Sequence, residues 1–223
     1  RRVRLCDGAG PRGELKTPGL SVGSLCNAVL GPISSDMQTL DEVLADVFRR
    51  LSRGVADRRS AFRSPALATV GTDGRPQVRT VVLRGFDAAA RLVIVHSDLR
   101  AAKIAALRAD PNAALHVWDH GAQVQVRIDG SATISAGDEL ARAEWARLHA
   151  GSRAAYRSQP TPATPVEDPA DIPRVDEDAA FAHFAVLRVR VERLDWLHLA
   201  RDGQRRANFI WRDDVLEQRW LTP

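Results

Sequence analysis

Arg79, Arg84 and Lys103, with the imidazole of His96 and the hydroxyl of Ser97, fall around two apolar runs in one short stretch of this chain, RTVVLRGFDAAARLVIVHSDLRAAK. Arg79 and Arg84 bracket the run Thr80, Val81, Val82 and Leu83. A second apolar run, Arg91 to Val95, delivers His96 and Ser97 shortly before Lys103. Guanidinium groups grip phosphate in a planar, multidentate way, and hydroxyl and ammonium donors complete such a grip. Each charge taken alone reads as a strand end or a solvated helix face. As a set they are the equipment for holding a phosphorylated, planar ligand.

Farther along, Gln123, Gln125, Arg127 and Asp129 alternate with Val124, Val126 and Ile128, so a strand here has one polar and one apolar face. A polar face in the middle of a sheet calls for a ligand or a partner chain. Other candidates carry less. His116 and His120 are four apart, a spacing that suits a metal on a helix, but on a strand it separates them by about 13 Å, so no metal site is expected. His149, His183 and His198 stand alone and read as surface or packed residues. The tryptophans Trp118, Trp145, Trp196, Trp211 and Trp220 read as buried area in a core or an interface.

The elements that must position these residues begin after an unlike leader. Residues 1–36 are rich in Gly, Pro and Ser, lack apolar periodicity and precede the only methionine, Met37. They are expected to be a disordered extension outside a folded domain of residues 37–223, with an organelle-targeting leader as the alternative. Both cysteines, Cys6 and Cys26, lie in the leader. The body is thereby left without disulfides, thiolate metal ligands or a thiol nucleophile. Of the chain's 32 Lys and Arg and 28 Asp and Glu, the leader takes five and three, leaving 27 against 25 with both signs interspersed. That balance makes no electrostatic stripe for nucleic acid. No run of eighteen apolar residues exists, so no membrane-spanning helix is expected.

Thr39 and Glu42 have capping-box spacing ahead of Leu40, Val43, Leu44, Val47, Phe48 and Leu51, which share one helical face. Pro65 to Val70, the turn Thr72-Asp73-Gly74 and Gln77 to Arg84 predict a β-hairpin. Strands are predicted over Arg91 to His96, Ala113 to Asp119 and Ala122 to Ile134, with helices over Arg100 to Arg108 and Asp138 to Ala150. The five prolines of Gly151 to Arg174 predict a long loop. Phe184 to Leu194, Trp196 to Ala200, the Asp202-Gly203 turn, Arg205 to Trp211 and Leu216 to Leu221 close the chain. Six or more antiparallel strands with a few inserted helices predict a closed or partly closed barrel.

In this order the residues resemble the flavin-binding split-barrel family typified by pyridoxamine phosphate oxidase, over about Thr39 to Pro223. Arg79-Thr-Val-Val-Leu-Arg84 resembles the family's Arg, three residues, Leu, then Lys or Arg. His96-Ser97 resembles its aromatic-Thr pair, Lys103 its helix lysine, Gln125 its strand glutamine, and VERLDWLHLARDGQRRANF its closing hairpin. The resemblance implies a mainly β, α+β fold: an antiparallel six-stranded split β-barrel with flanking helices. It further implies a cytoplasmic homodimer with FMN in a cleft between subunits, its phosphate held by Arg79, Ser97 and Lys103. Thr80, Val81, Val82, Leu83 and His96 would line the cofactor, Arg84 would sit near the isoalloxazine and the substrate, and Gln125 would sit at the ring edge. No side chain need act as a nucleophile, because the flavin carries the chemistry.

Strict alternation puts Arg79 and Arg84 on opposite faces of one strand, so meeting one flavin demands a bulge, a strong twist or a strand end. Departures from the family bear on the reaction. Ala102 stands where the family has Arg beside the helix lysine, and Arg100 is a partial replacement. Arg205-Arg206-Ala207-Asn208 lacks the family's C-terminal histidine and final arginine. The family's Tyr, Arg and Ser fall on Trp145, His149 and Arg153. The substrate candidates are therefore Arg84, His149, Arg153, Arg205 and Arg206. The expected function is an FMN-dependent oxidoreductase taking a hydride from a small amine-like substrate. The alternative is a non-catalytic module holding flavin, haem or a deazaflavin.

Overall fold

The computed structural model describes residues 39–200 and 203–223. The expected extension 1–36, with Cys6 and Cys26, and Asp202 of the predicted turn lie outside the described residues. Helix α1, Leu40–Ala56, starts where Thr39 Oγ1 accepts the Glu42 N–H at 3.2 Å and the Glu42 carboxylate accepts the Thr39 N–H at 3.0 Å. That reciprocal cap satisfies two otherwise orphaned donors. The helix buries Val43, Val47 and Leu51, the apolar stripe that its periodicity predicts. Its far end is held by Arg63, whose Nη1 donates to the carbonyls of Gly54, Val55 and Leu83.

The strands are β1 (Ala66–Val70), β2 (Pro76–Thr80), β3 (Leu83–Asp87), β4 (Leu92–Asp98), β5 (Asn112–Asp119), β6 (Val124–Ser135), β7 (Phe184–Ala200), β8 (Gly203–Arg212) and β9 (Val215–Leu221). Between them lie α2 (Ala102–Ala109), α3 (Glu139–Arg147), α4 (Ala150–Arg153) and α5 (Glu177–Ala180). They form one antiparallel sheet in the order β2-β1-β5-β6-β7-β4-β3, with β8 on β7 and β9 on β8. The described residues thus hold nine strands, within the six or more expected, in the mainly antiparallel fold with flanking helices. The two ends of the path, β2 and β3, do not pair, so the sheet is not closed.

Two sequence-derived boundaries move for one reason, the partners that neighbouring strands supply. Phe184 to Ala200 is a single strand because β6 supports it along its length, while β4 covers Phe184 to Arg190 and β8 covers Arg193 to Ala200. The predicted strand Gln77 to Arg84 is instead two strands. β2 pairs with β1, the Val81 N–H turns to the Pro65 carbonyl at 2.9 Å, and β3 then pairs with β4. One apolar run therefore serves both ends of the sheet.

The main core joins the inner faces of the sheet, around Leu67, Leu115, Ile128, Leu194, Trp196 and Phe209, to α1 and to Ile104 and Leu107 of α2. A second cluster, Ala141, Tyr156, Ala180, Phe184 and Val186 with Trp145 and Phe181 against it, packs α3 and α5 on the outer side of β4 and β7. The proline-rich segment predicted as loop carries α4 and short 3-10 turns, and its ends are tied together. Gln159 N–H donates to the Pro173 carbonyl at 2.8 Å and Arg157 Nε to the Val175 carbonyl at 2.8 Å.

Candidate functional site

On β4 successive residues face opposite ways. Ser97 turns inward, 4 % exposed, toward α2, where Lys103 Nζ donates to its Oγ at 3.0 Å. Arg79 pairs with Leu67 and so lies on the same inner side of the sheet. Its guanidinium is braced by Thr69 Oγ1 at 2.8 Å, the Leu67 carbonyl at 3.3 Å and Gln77 Oε1 at 3.0 Å. Burial, then the neighbouring Arg79 charge, holds the Lys103 ammonium below its ordinary pKa, with Asp98 opposing; burial lowers Arg79 too. Two partly desolvated cations beside a hydroxyl have the chemistry to accept an anion. Arg79, Ser97 and Lys103, singled out in sequence, are brought together.

Arg100 does not join them. It grips Asp98 through Nε at 3.0 Å and Nη2 at 2.7 Å, and donates to the carbonyls of Ser158 and Gln159 at 2.9 Å each. The Asp98 carboxylate raises its pKa. Arg100 therefore anchors the proline-rich segment instead of replacing the arginine that Ala102 lacks.

His96 turns the other way, onto the outer side of β4. Its ring packs edge-on against Phe184 with centroids 4.9 Å apart, and Nε2 stands 3.4 Å from Glu144 Oε2. Arg84 follows the inward Leu83, so alternation places it on this same outer side; Leu83 pairs with Val95 but Gly85 with Ile94, which leaves Arg84 in a bulge. A bulge is present, but Arg79 and Arg84 also fall on separate strands, and Arg84 shares the outer side with His96 while Arg79 lies on the inner one. Arg84, His96 and Glu144 line a cleft of about 410 Å³ with Arg147, Leu148 and Phe86. The His96 side chain is only 4 % exposed. Burial first, then the Arg84 charge, pushes its pKa down to about 4 against the pull of Glu144.

A base whose folded pKa is depressed binds its proton more readily when unfolded, so stability falls as pH drops below the unfolded value near 6.5 toward about 4. The expected slope from this residue approaches about 1.4 kcal/mol per pH unit in that window. Urea melts across pH 4 to 7 should show the slope in the parent and a reduced one in His96→Gln; parallel profiles would remove His96 as its source.

The polar face of β6 points away from the Arg79 cluster. Leu67, Leu115 and Ile128 are cross-strand partners on the inner side, and Gln125, three residues from Ile128, lies on the outer one. There Gln125 Oε1 meets His116 Nε2 at 3.2 Å. Nearby, Asp195, 6 % exposed, holds Arg206 through both carboxylate oxygens at 2.9 to 3.2 Å and also takes Arg127 at 3.2 Å. Arg205 is on the same hairpin strand, β8, with its side chain half-buried and engaged.

Of the remaining candidates, Val81 and Leu83 are 8 % and 0 % exposed and spend their side chains on the core, whereas Thr80 and Val82 are exposed. Trp145 is committed to the aromatic cluster with Tyr156 and Phe184. Arg153 bonds Glu177 at 2.6 Å and lies over the Trp145 ring. His149 is exposed at the start of α4. Sequence reasoning missed Thr69, Gln77, Tyr156 and Glu144. The first two were visible as the strand partners of a hairpin that carries Arg79. Glu144 and Tyr156 had no local signal, because their place depends on how α3 and the following turn pack on β4.

An open antiparallel sheet with flanking helices, with Arg79, Ser97 and Lys103 drawn together on its inner side, is the frame for comparison with known proteins. Residues 45–136 match the family described as pyridoxamine 5'-phosphate oxidase, FMN-binding domain. The chain is 30 % identical over 163 residues to pyridoxine/pyridoxamine 5'-phosphate oxidase of Myxococcus xanthus, covering 69 % of this chain and 76 % of that one. It is 37 % identical over 86 residues to the oxidase of the same name from Microcystis aeruginosa, 38 % of this chain and 39 % of that one. The solved structure of a pyridoxamine 5'-phosphate oxidase-related, FMN binding protein from Nostoc punctiforme superposes with a TM-score of 0.66 at 24 % identity, over 80 % of this chain and 96 % of that one. The chain belongs to the pyridoxamine 5'-phosphate oxidase family.

Proposed function

We propose that this chain binds FMN and works as an FMN-dependent oxidoreductase on a small amine-like substrate, with residues 37–223 as the flavin-binding domain. The observation that carries the reading is the convergence of Lys103, Ser97 and Arg79, two partly desolvated cations and a hydroxyl whose mutual repulsion a phosphate would relieve. The family description of residues 45–136 supports FMN as the source of that phosphate. Bound there, FMN supplies a hydride acceptor. Arg84 would supply positive charge to a ring that gains negative charge on reduction, and Gln125 would offer an amide to its edge.

A pair of chains accounts for the division between faces. Arg79 and Gln125 lie on opposite sides of one sheet, so a single flavin reaches both when a second copy presents its Gln125. A substrate role for Arg206 follows the same logic, from the outer face of the partner's hairpin, whereas Arg205, paired with His198, faces the other side of that strand. Mass spectrometry of the ligand released from purified protein tests the reading, with FMN expected in yellow material. Anaerobic addition of pyridoxamine 5'-phosphate then asks whether that amine bleaches the flavin. Colourless protein that takes up no added FMN would reject the proposal, and bound FMN that no amine reduces would favour a non-catalytic flavin module.

A further inference from the structure

The cleft at Arg84 has a charge pattern that the phosphate cluster does not share. Arg84 donates no hydrogen bond within the described residues, although it lies close enough to press on the charges of Arg63 and His96. Arg63 is spent on three carbonyls, so Arg84 is the guanidinium with free donors. Across from it, neither nitrogen of the buried His96 ring makes a well-formed hydrogen bond. Glu144, 3.4 Å from that ring, is bonded otherwise to Arg147 at 2.8 Å, whose side chain is 75 % exposed. An exposed partner of this kind is held weakly. The cleft therefore offers one unsatisfied cation and, beside it, a carboxylate next to an unsatisfied imidazole, with Ile94, Phe86 and Leu148 as apolar wall.

We propose that this cleft binds a small zwitterion, its carboxylate on Arg84 and its ammonium on Glu144, which the buried His96 ring backs from behind. The inference rests on reading Arg84 as substrate-facing and gives that substrate a class: an amine that also carries a carboxylate and has an apolar body. A phosphate is the poorer occupant, because its second negative charge would face Glu144 and Asp87, both on the cleft wall. The volume of about 410 Å³ falls within the range of roughly 300–1,000 Å³ usual for small-molecule sites.

Isothermal titration of the purified full chain with four probes sharing a phenyl body tests this: phenylalanine, 3-phenylpropionate, phenethylamine and phenyl phosphate. Phenylalanine is expected to bind tightest, by about tenfold over each of the others. Arg84→Gln should weaken phenylalanine and 3-phenylpropionate alike. Glu144→Gln, nearly isosteric and therefore expected to fold, should erase the advantage of phenylalanine over 3-phenylpropionate without weakening the latter. Strongest binding of phenyl phosphate, an unchanged preference in Glu144→Gln, or no binding of any probe would overturn the assignment. FMN content read from the absorbance of the same samples separates the two readings. Phenylalanine binding without FMN rejects only the flavin function, and FMN without phenylalanine binding rejects only the zwitterion site.

Discussion

Arg79→Ala is expected to weaken FMN binding on the order of 30- to 150-fold, about 2 to 3 kcal/mol, the worth of a charge-assisted hydrogen bond to phosphate in a partly desolvated site. The remaining Lys103 and Ser97 would still attract phosphate, so binding should drop rather than vanish. Arg79 also braces Thr69 and Gln77, and some decrease in melting temperature should accompany the change. Arg79→Lys separates the two effects: it restores charge but not the planar fork, and should recover part of the affinity. Fluorescence titration of flavin-free protein with FMN measures both variants. Equal affinity in parent and alanine variant would place the phosphate elsewhere.

Gly130→Ala should damage the fold more than any change at the surface. Gly130 follows Asp129 at a register shift between β6 and β7, and a Cβ built on it would lie 1.8 Å from the Arg190 carbonyl oxygen. Backbone cannot yield at small cost where the longest strand crosses its partner. β6 also carries Gln125 and Arg127 and packs Val124, Val126 and Ile128 into the core, so its displacement would spread to both faces. Destabilisation of at least about 3 kcal/mol is expected, in the range of severe single substitutions. Urea unfolding gives the number, and a shift below about 1 kcal/mol would mean that the two strands part easily there.

Arg79, Ser97 and Lys103 were legible as candidates because they fall in one short stretch that the family resemblance groups, even though β2 and β4 stand near opposite ends of the sheet path. The first helix was equally legible, since the Thr39-Glu42 cap and the Val43, Val47, Leu51 stripe are local. Arg100 shows where such reading stops. Its position beside Lys103 on the chain favours a phosphate ligand, yet Asp98 and two carbonyls of a segment some sixty residues away claim it. Likewise Trp145, His149 and Arg153 hold family spacing, while packing on Phe184 and the ion pair with Glu177 commit two of them to structure.

Composition and periodicity were enough to specify a mainly antiparallel domain, its amphipathic first helix, and a cation-hydroxyl set suited to phosphate. These depend on nearest neighbours along the chain, where alternation and capping act over a few residues. Long-range packing settled the rest: the run from Gln77 to Arg84 splits to serve both open ends of the sheet, α3 brings Glu144 to the cleft that Arg84 and His96 line, and Gln125 lies on the face opposite Arg79. Each of these depends on which distant strand or helix supplies the hydrogen-bond partner, and such partners are chosen by packing and register across the whole sheet rather than by the residues next in line.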